Sequence, residues 1–304
     1  MSGLTPLQER YFDVCRRVAS AAVRSERRPQ DVYLVAVTKY AEPEQIRELI
    51  GIGHRDFGEN HVQQLIQRAA SIDEFISRRR LIHSASGPTV PNARAVAEAS
   101  ARVGPVGGRV ADGSPPESVR WHVIGHLQRN KVRKAIQVAR LFHSVDSLRL
   151  AEEIQQTALR RSMDVDVLIQ VNIAGEQGKS GCAVPAVVPL AEQIDSMANL
   201  RLRGLMTIAP YTEDPQTTRP VFRRCREIFE EVRTTGLGDG RFNLLSMGMS
   251  GDFEVALECG ANIVRVGSAI FGKPPADAAL EAQAGLADRI PVPGEDRCAD
   301  GTDR

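Results

Sequence analysis

The chain has 304 residues, of which 42% are hydrophobic and 25% are charged, and its formal net charge is +1. This balance gives no reason to expect nucleic acid or an anionic membrane as a partner, because both favour a basic surface. The five cysteines are widely spaced and form no C-x-x-C pair, so neither a disulfide framework nor a zinc site is indicated. No apolar run reaches the roughly 20 residues that span a bilayer, and the first ten residues lack the apolar segment of a secretion signal. We therefore expect a soluble, cytoplasmic protein.

The first predicted element is a helix at 11–28. Val14, Val18 and Ala22 recur at helical spacing and share one face, and Pro29 ends the pattern.

A continuous apolar and β-branched run at 32–37 follows, which is typical of a strand buried on both faces. From there the chain repeats a unit of short apolar strand, polar loop and amphipathic helix. The seven further strands are predicted at 56–58, 121–124, 141–145, 165–171, 202–208, 243–247 and 263–266. The helices are predicted at 42–52, 61–76, 130–139, 147–160, 184–197, 218–234 and 252–258, and another begins at 268–271.

Eight strands alternating with helices predict an α/β fold, a (β/α)₈ TIM barrel, whose usual size of about 250 residues fits 32–272. The alternative is a doubly wound sheet, which usually has fewer strands and carries a G-x-G-x-x-G turn after the first strand. Thr38, Lys39 and Tyr40 occupy that turn here, so the barrel is favoured.

The chain is expected to form one domain, residues 1–280, with the predicted N-terminal helix preceding the barrel. Residues 83–118 are rich in Gly, Pro, Ala and Ser and are interpreted as a flexible insertion, within which 93–103 has the pattern of a short helix. Residues 281–304 are expected to be a disordered tail.

Active sites of such barrels lie at the carboxyl ends of the strands. This rule selects, before any chemistry is considered, Lys39, Glu59, Asn60, His122, Asn172, Met206, Ser246, Met247, Arg265, Gly267 and Ser268.

Lys39 ends a strand that contains no other charge. A lysine there would be partly desolvated, which favours the neutral amine that imine formation with a carbonyl cofactor requires. Position alone equally allows a lysine that reaches the barrel rim or pairs with Glu59.

A phosphate site is indicated after the last two strands. Ser246, Met247 and Ser250 belong to a Ser-Met-Gly-Met-Ser segment after strand 7, and Gly267 and Ser268 follow strand 8. Barrels often bind phosphate at this place, where glycine allows close backbone approach and serine adds a donor. Ordinary turn and helix-cap chemistry uses the same residues.

Arg265 lies between Val264 and Val266, so strand alternation turns it towards the barrel interior or mouth. A buried guanidinium needs an acceptor, which a heteroaromatic ring nitrogen or a carboxylate such as Glu59 would supply. His122 and His126 have zinc-ligand spacing only on a helix, and this segment reads as strand and loop, so no metal is expected.

The chain resembles the pyridoxal phosphate homeostasis protein family, also called YggS-like proteins. The matching strings occur in family order and cover nearly all of 32–272: AVTK (36–39), FGEN (57–60), WHVIGHLQRNK (121–131), SVDS (144–147), VLIQVN (167–172), KSG (179–181), LRGLM (202–206), LSMGMSGD (245–252) and VRVGSAIFG (264–272).

The resemblance implies a fold-type III barrel like the N-terminal domain of alanine racemase, which binds pyridoxal 5′-phosphate (PLP) as a covalent aldimine on Lys39. It implies that Arg265 faces the pyridine nitrogen and that Asn60 and His122 line the pocket. It further implies that Ser246, Gly267 and Ser268 hold the phosphate with nearby backbone amides. The cofactor-binding set is then Lys39, Asn60, His122, Met206, Ser246, Met247, Ser250, Arg265, Gly267 and Ser268. Ser268 and His61 depart from the family, where Thr and Tyr are common.

An arginine opposite the pyridine nitrogen disfavours ring protonation, and a racemase supplies a second base from another domain. About 32 residues after Gly272 are too few for such a domain. We therefore expect PLP binding and PLP homeostasis with little turnover, with PLP-dependent apo-enzymes as partners and a monomer or weak homodimer as the assembly. The alternatives are an amino-acid racemase or lyase, with Tyr40 or Tyr211 as a base, and a barrel for another phosphorylated metabolite.

Overall fold

The computed structural model describes residues 3–83, 93–103, 118–176, 178 and 180–272. Within these ranges the chain has nine parallel strands: β1 Tyr33–Val37, β2 Asp56–Glu59, β3 Arg120–Val123, β4 Ala139–Val145, β5 Val165–Asn172, β6 Cys182–Ala183, β7 Leu200–Thr207, β8 Leu244–Ser246 and β9 Ile263–Val266.

Eight of the strands form the predicted closed barrel. Their order is β4-β3-β2-β1-β9-β8-β7-β5, and a further β4–β5 pairing closes the ring. The two-residue strand β6 pairs only with the end of β5, through Val171 and Asn172. The sequence pattern did not predict it, because two residues are too few to show a period.

The helices of the described ranges surround the barrel: α1 Pro6–Arg24, α2 Pro43–Gly51, α3 Val62–His83, α4 Ala93–Val103, α5 Val132–Ala135, α6 Leu148–Arg160, α7 Val187–Asp195, α8 Arg219–Thr234, α9 Phe253–Glu258 and α10 Ser268–Phe271. None of these helices combines the length and apolarity that a membrane crossing requires. Two predicted helices are shorter than expected, since 3₁₀ turns at 129–131 and 184–186 replace their first residues.

Helix α1 lies outside the barrel and differs from its prediction at both ends. It begins at Pro6 because the Thr5 side chain accepts from the Gln8 N–H while the Gln8 side chain accepts from the Thr5 N–H. It ends at Arg24, five residues before Pro29, where Ser25 caps it. Its apolar face packs against α9, α10 and α4.

The predicted helix at 93–103 is confirmed as α4, and Val96 is buried in the core that α4 shares with α1. The rest of the predicted insertion between 84 and 117, and the predicted tail at 281–304, lie outside the described residues.

The buried side chains form two layers, because successive residues of a strand point to opposite faces. One small cluster fills the barrel interior and consists of Val35, Leu141, Leu168, Met206, Leu244 and Ile263. A much larger cluster lies between the barrel and the helices.

Ion pairs join neighbouring strands at the amino-terminal end of the barrel. Arg120 on β3 donates to both carboxylate oxygens of Asp56 on β2, at 2.7 and 2.5 Å. Arg203 on β7 donates to Asp166 on β5 at 2.7 Å. Ion pairs thus link neighbouring strands at this end, whereas the loops of the carboxyl end are available for a site.

Candidate functional site

Lys39 lies at the carboxyl mouth of the barrel, two residues beyond the end of β1, and its side chain is exposed. The expectation of a partly desolvated lysine is therefore wrong, because the strand ends before Lys39 and leaves it on the rim. Val35, within β1, belongs to the interior cluster. The Lys39 Nζ lies 4.9 Å from the centre of the Tyr40 ring.

One interpretation of the sequence allowed an ion pair between Glu59 and Lys39, but the structure shows other partners for Glu59. Its buried carboxylate accepts from the Thr38 hydroxyl at 2.8 Å and from Arg68 of α3 at 2.5 Å. Arg68 also donates to the backbone oxygens of Thr38 and Ala41, which fixes the turn that carries Lys39. In the described part of the chain, Lys39 Nζ has neither a hydrogen bond nor a carboxylate partner.

The predicted phosphate segments come together beside the end of β1. The Ser250 hydroxyl oxygen accepts from the backbone N–H of Gly267 at 3.2 Å and of Ala269 at 3.3 Å. Gly267 lies against β1, since a Cβ there would be 3.3 Å from the Val37 carbonyl oxygen. Ser268 is exposed at the start of α10, directly after Gly267.

The turn before Ser250 depends on Gly248, which has a φ of +89°. A Cβ at this position would lie 2.6 Å from the Cβ of Ala256 and 2.8 Å from the Cα of Phe253, so only glycine fits against α9. The Asp252 carboxylate accepts from the Met249 N–H at 2.6 Å and holds the other side of the turn.

Arg265 is buried in the barrel interior, as strand alternation predicted. Its guanidinium donates to the Ser246 hydroxyl oxygen at 2.6 Å and to the Thr207 carbonyl oxygen at 2.9 Å. Glu59, which one interpretation of the sequence gave as the acceptor for Arg265, is not a partner of Arg265. Burial lowers the pKa of Arg265 to about 10, partly offset by the charge of Asp252, so the group is a cation at neutral pH.

Three predicted residues lie apart from the rim. The Ser246 side chain is fully buried beneath the mouth, and Met206 belongs to the apolar interior cluster. Met247 packs in the outer layer between barrel and helices, and its N–H already donates to the Ile263 carbonyl oxygen at 3.1 Å. Of the two serines in the Ser-Met-Gly-Met-Ser segment, Ser250 is therefore the one placed to meet an anion.

Asn60 follows β2 and Asn172 is the last residue of β5, at the same end of the barrel. Asn60 is half-buried, and its backbone is packed against Gly125, where a Cβ would lie 2.6 Å from the Asn60 carbonyl oxygen. The Asn172 side chain donates to the Glu176 carbonyl oxygen at 3.0 Å, which ties it to its own loop. Asn60 is thus the better placed of the two to line a pocket.

His122 is buried in the interior and takes part in a hydrogen-bonded chain that sequence reasoning missed. Its Nδ1 lies 2.9 Å from His143 Nε2, and its Nε2 lies 3.2 Å from an Asp56 carboxylate oxygen. His143 Nδ1 lies 2.9 Å from the Ser246 hydroxyl oxygen. His143 follows Leu141 by two residues, so the alternation of β4 was a signal that it points inwards.

The charges of this interior chain differ between its ends. Burial, followed by the charges of His122 and Arg265, lowers the pKa of His143 well below its usual value. Burial alone would raise the pKa of Asp56, but hydrogen bonds from His122 and Arg120 outweigh it and lower the pKa. At neutral pH the interior therefore holds a carboxylate near one end, a guanidinium near the other and a neutral His143 between them.

The carboxyl mouth thus combines the exposed primary amine of Lys39, the hydroxyl groups of Ser250 and Ser268, and the buried cation of Arg265 below them. Such an arrangement can bind a molecule that carries a reactive carbonyl, an anionic group and a weakly basic acceptor. Among the described residues no group of three or more His, Cys, Asp and Glu side chains is close enough to hold a metal ion.

Residues 29–275 match the family model described as alanine racemase, N-terminal domain. Pyridoxal phosphate homeostasis proteins are similar over most of their length. That of Aquifex aeolicus is 33% identical over 87% of this chain and 97% of its own, and that of Pseudomonas aeruginosa is 31% identical over 88% and 96%.

Solved structures agree with these matches. The structure of PipY of Synechococcus elongatus with PLP bound has a TM-score of 0.63 and 29% identity, over 85% of this chain and 100% of that chain. An alanine racemase of Clostridium difficile, at 12% identity and a TM-score of 0.58 over 87% of this chain and 61% of that chain, shares the fold alone.

Proposed function

Because the chain belongs to the pyridoxal phosphate homeostasis protein family, with the alanine racemase N-terminal domain as its barrel, we propose that it binds PLP at the carboxyl mouth. Lys39 holds the cofactor as a Schiff base, and the protein takes part in intracellular PLP balance without substantial turnover of amino acids. The observation that carries this proposal is the exposed amine of Lys39 at a mouth that also presents phosphate donors and the Arg265 cation.

The phosphate end fits the donors around Ser250. Its hydroxyl oxygen already accepts from the Gly267 and Ala269 amides, so its own proton is directed away from them and is available to an anion. The exposed hydroxyl of Ser268 adds a second donor, and its replacement of the threonine common in the family keeps that group. These donors support phosphate binding at the ends of β8 and β9.

Lys39 supplies the nucleophile. Its amine would condense with the aldehyde of bound PLP with loss of water, so no other reactant would be needed. Because no carboxylate of the described residues pairs with Lys39, its amine is not tied up as an ion pair. An exposed imine is also open to attack by another amine, which suits a protein that releases PLP to apo-enzymes.

Arg265 supports a binding role over catalysis. When bound, PLP supplies an electron sink whose strength depends on protonation of its ring nitrogen. The guanidinium of Arg265 places a positive charge at the floor of the site, and a second charge beside it is disfavoured. The residue therefore opposes the protonated ring that carbanion chemistry uses most effectively.

A racemase or lyase activity remains the alternative, and one observation favours it. The Tyr40 ring lies beside Lys39, with 4.9 Å between Lys39 Nζ and the ring centre, so a phenol capable of proton transfer stands at the mouth. The second candidate base, Tyr211, is 94% exposed in the loop after β7. Exchange of the α-proton of an L-amino acid in deuterated buffer would support this alternative, and its absence supports the carrier.

The test is the visible absorption spectrum of the protein with PLP, before and after borohydride, compared with Lys39→Ala. We expect an imine band that borohydride abolishes and that the variant lacks. Lys134→Ala, which removes another exposed lysine on α5 far from the β1 end, is the matched control and should keep the band. If the wild-type protein shows no such band in excess PLP, the Schiff base on Lys39 is refuted. A barrel that binds some other phosphorylated metabolite is then the remaining interpretation.

A further inference from the structure

A chain of buried polar side chains crosses the barrel interior from Asp56 to Arg265. Its four links are Asp56–His122 at 3.2 Å, His122–His143 at 2.9 Å, His143–Ser246 at 2.9 Å and Ser246–Arg265 at 2.6 Å. All five side chains are buried, His143 and Ser246 completely. Buried polar groups are costly unless each is paired, so the direction of every proton in this chain matters.

The two ends of the chain fix that direction. Arginine can only donate, and an ionised carboxylate can only accept. Arg265 therefore donates to Ser246, and Asp56 accepts from His122 Nε2–H. The His122 Nδ1 of a neutral ring must then accept, so His143 donates from its Nε2.

The direction of the hydrogen bond between His143 and the Ser246 hydroxyl follows in the same way. With its proton on Nε2, His143 has a bare Nδ1, which can only accept from the Ser246 O–H. Ser246 in turn has lone pairs for Arg265. Every link receives one proton, and with both histidines neutral no other assignment does this.

An added proton would break this order at Ser246. If both nitrogens of His122 carried protons, His143 would have to accept at Nε2 and donate from Nδ1. Ser246 would then receive donors from both His143 and Arg265, and its own proton would need a new acceptor.

We propose that His122 and His143 are positioning residues for Arg265. As neutral Nε2–H tautomers they orient the Ser246 hydroxyl so that its oxygen accepts from the Arg265 guanidinium, which is thereby held at the floor of the mouth. With the Thr207 carbonyl oxygen as the second acceptor, two of the five N–H groups of Arg265 are fixed in direction. Only the last step, from Arg265 to bound PLP, rests on the proposed function.

The other end of the chain reaches a separate depression at the amino-terminal mouth. It has a volume of about 400 Å³ including open solvent and is lined in part by His122, Arg120, Arg140 and Asp166. The positioning chain therefore starts at the ion-paired amino-terminal end of the barrel, at Asp56, and ends at Arg265 under the candidate site. A change of His143 should therefore affect the mouth without altering any residue of the predicted cofactor-binding set.

The first test reads the tautomers directly, by nitrogen-15 NMR of the histidine rings at pH 7 in the protein without and with PLP. We expect His122 and His143 each to carry a proton on Nε2 and a bare Nδ1. Signals are assigned by single substitution of each histidine. A proton on Nδ1 of His143 would overturn the proposal, because Ser246 would then receive two donors.

The second test reads the effect on Arg265 through His143→Leu. We expect the side-chain N–H signals of Arg265 to lose their protection from exchange, and PLP to bind about tenfold more weakly, as for a lost hydrogen bond to a charged group. His54→Leu is the matched control. It removes another buried histidine, which bonds to the Tyr11 side chain and to the backbone oxygen of Asp56. Because neither bond involves one of the five linked side chains, both readouts should stay unchanged.

A double-mutant cycle separates positioning from general damage. If His143 acts through Arg265, His143→Leu should change PLP affinity less than twofold in an Arg265→Leu background, against about tenfold in the wild type. Equal losses in both backgrounds would refute the coupling. A wild-type protein that does not bind PLP would refute the proposed function, while the tautomers and the Arg265 signals would still decide the positioning chain.

Discussion

Arg68 Nη1 donates to the buried carboxylate of Glu59 at 2.5 Å, and this ion pair lies directly behind the turn that carries Lys39. Because Glu59 is paired with Arg68, this carboxylate near the mouth does not form an ion pair with Lys39. Arg68 also ties α3 to the end of β1, since it donates to two carbonyl oxygens of that turn.

Replacing Arg68 should therefore affect both stability and the site. Arg68→Leu leaves the fully buried Glu59 carboxylate without its cation, and we expect the free energy of unfolding to fall by about 3 kcal/mol. PLP should also bind more weakly, because the turn loses its clamp. Urea unfolding and PLP titration measure the two effects.

The control is Arg78→Leu, on the same helix, whose partner Glu74 is exposed. Exposed pairs contribute little, so we expect a loss of less than about 1 kcal/mol and unchanged PLP binding. The double variant Arg68→Leu with Glu59→Gln should regain part of the stability. Equal losses for Arg68→Leu and Arg78→Leu would contradict this account.

The phosphate donors can be separated by two serine variants. Ser250→Ala removes a donor and also leaves the Gly267 and Ala269 amides without their acceptor, so we expect PLP to bind about tenfold more weakly. Ser268→Thr keeps the hydroxyl and should change the affinity little. Fluorescence titration with PLP, with inorganic phosphate as competitor, measures both, and unchanged affinity in Ser250→Ala would exclude Ser250 from the phosphate site.

The stability of the protein should fall in weak acid. Burial lowers the pKa of His54 from 6.5 to about 4, partly offset by Asp56, so the unfolded chain binds this proton more readily than the folded one. The stabilisation is complete above the unfolded pKa of 6.5 and is lost as the pH falls towards 4. For His54 the loss amounts to about 3 kcal/mol.

His143, whose pKa is also lowered, adds to the same slope. Urea unfolding between pH 7 and pH 4.5 gives the slope, and His54→Gln should reduce it without removing it. An unfolding free energy independent of pH across this window would show that neither histidine is buried in its neutral form.

Of the glycines in the described ranges, Gly204 is the one where a side chain would meet the shortest contact. It has a φ of +151°, and a Cβ there would lie 1.7 Å from the carbonyl oxygen of Leu244, its partner in the β7–β8 ladder. Gly204→Ala should therefore prevent barrel closure or lower the unfolding free energy by more than about 3 kcal/mol. Gly236→Ala, at a φ of +82° with nothing within 4 Å, meets only backbone strain and should cost about 1 kcal/mol. Circular dichroism during thermal unfolding compares the two.

The barrel was predictable because its strands are short, separated apolar runs. The strand at 263–266 has the predicted bounds, and most others differ by one or two residues. The start of α1 is also marked in the sequence, by the Thr5–Gln8 capping box. The two residues of β6 and the four of α5 are too short to show any period.

The site was less predictable, because it depends on pairings between distant parts of the chain. Lys39 has no ion pair with Glu59 because Arg68, 29 residues after Lys39 on α3, pairs with that carboxylate instead. The distinction between Ser246 and Ser250 depends on His143, 103 residues before Ser246. Alternation could have placed His143 inside the barrel, but no single-strand pattern shows that it meets His122 there.

The ion pairs at the amino-terminal end have a consequence for how this barrel tolerates change. Arg120 with Asp56 and Arg203 with Asp166 link strands at the end opposite Lys39. These strand-linking pairs and the candidate site thus lie at opposite ends of the barrel. Substitutions of Lys39, Ser250 or Ser268 therefore leave both ion pairs in place.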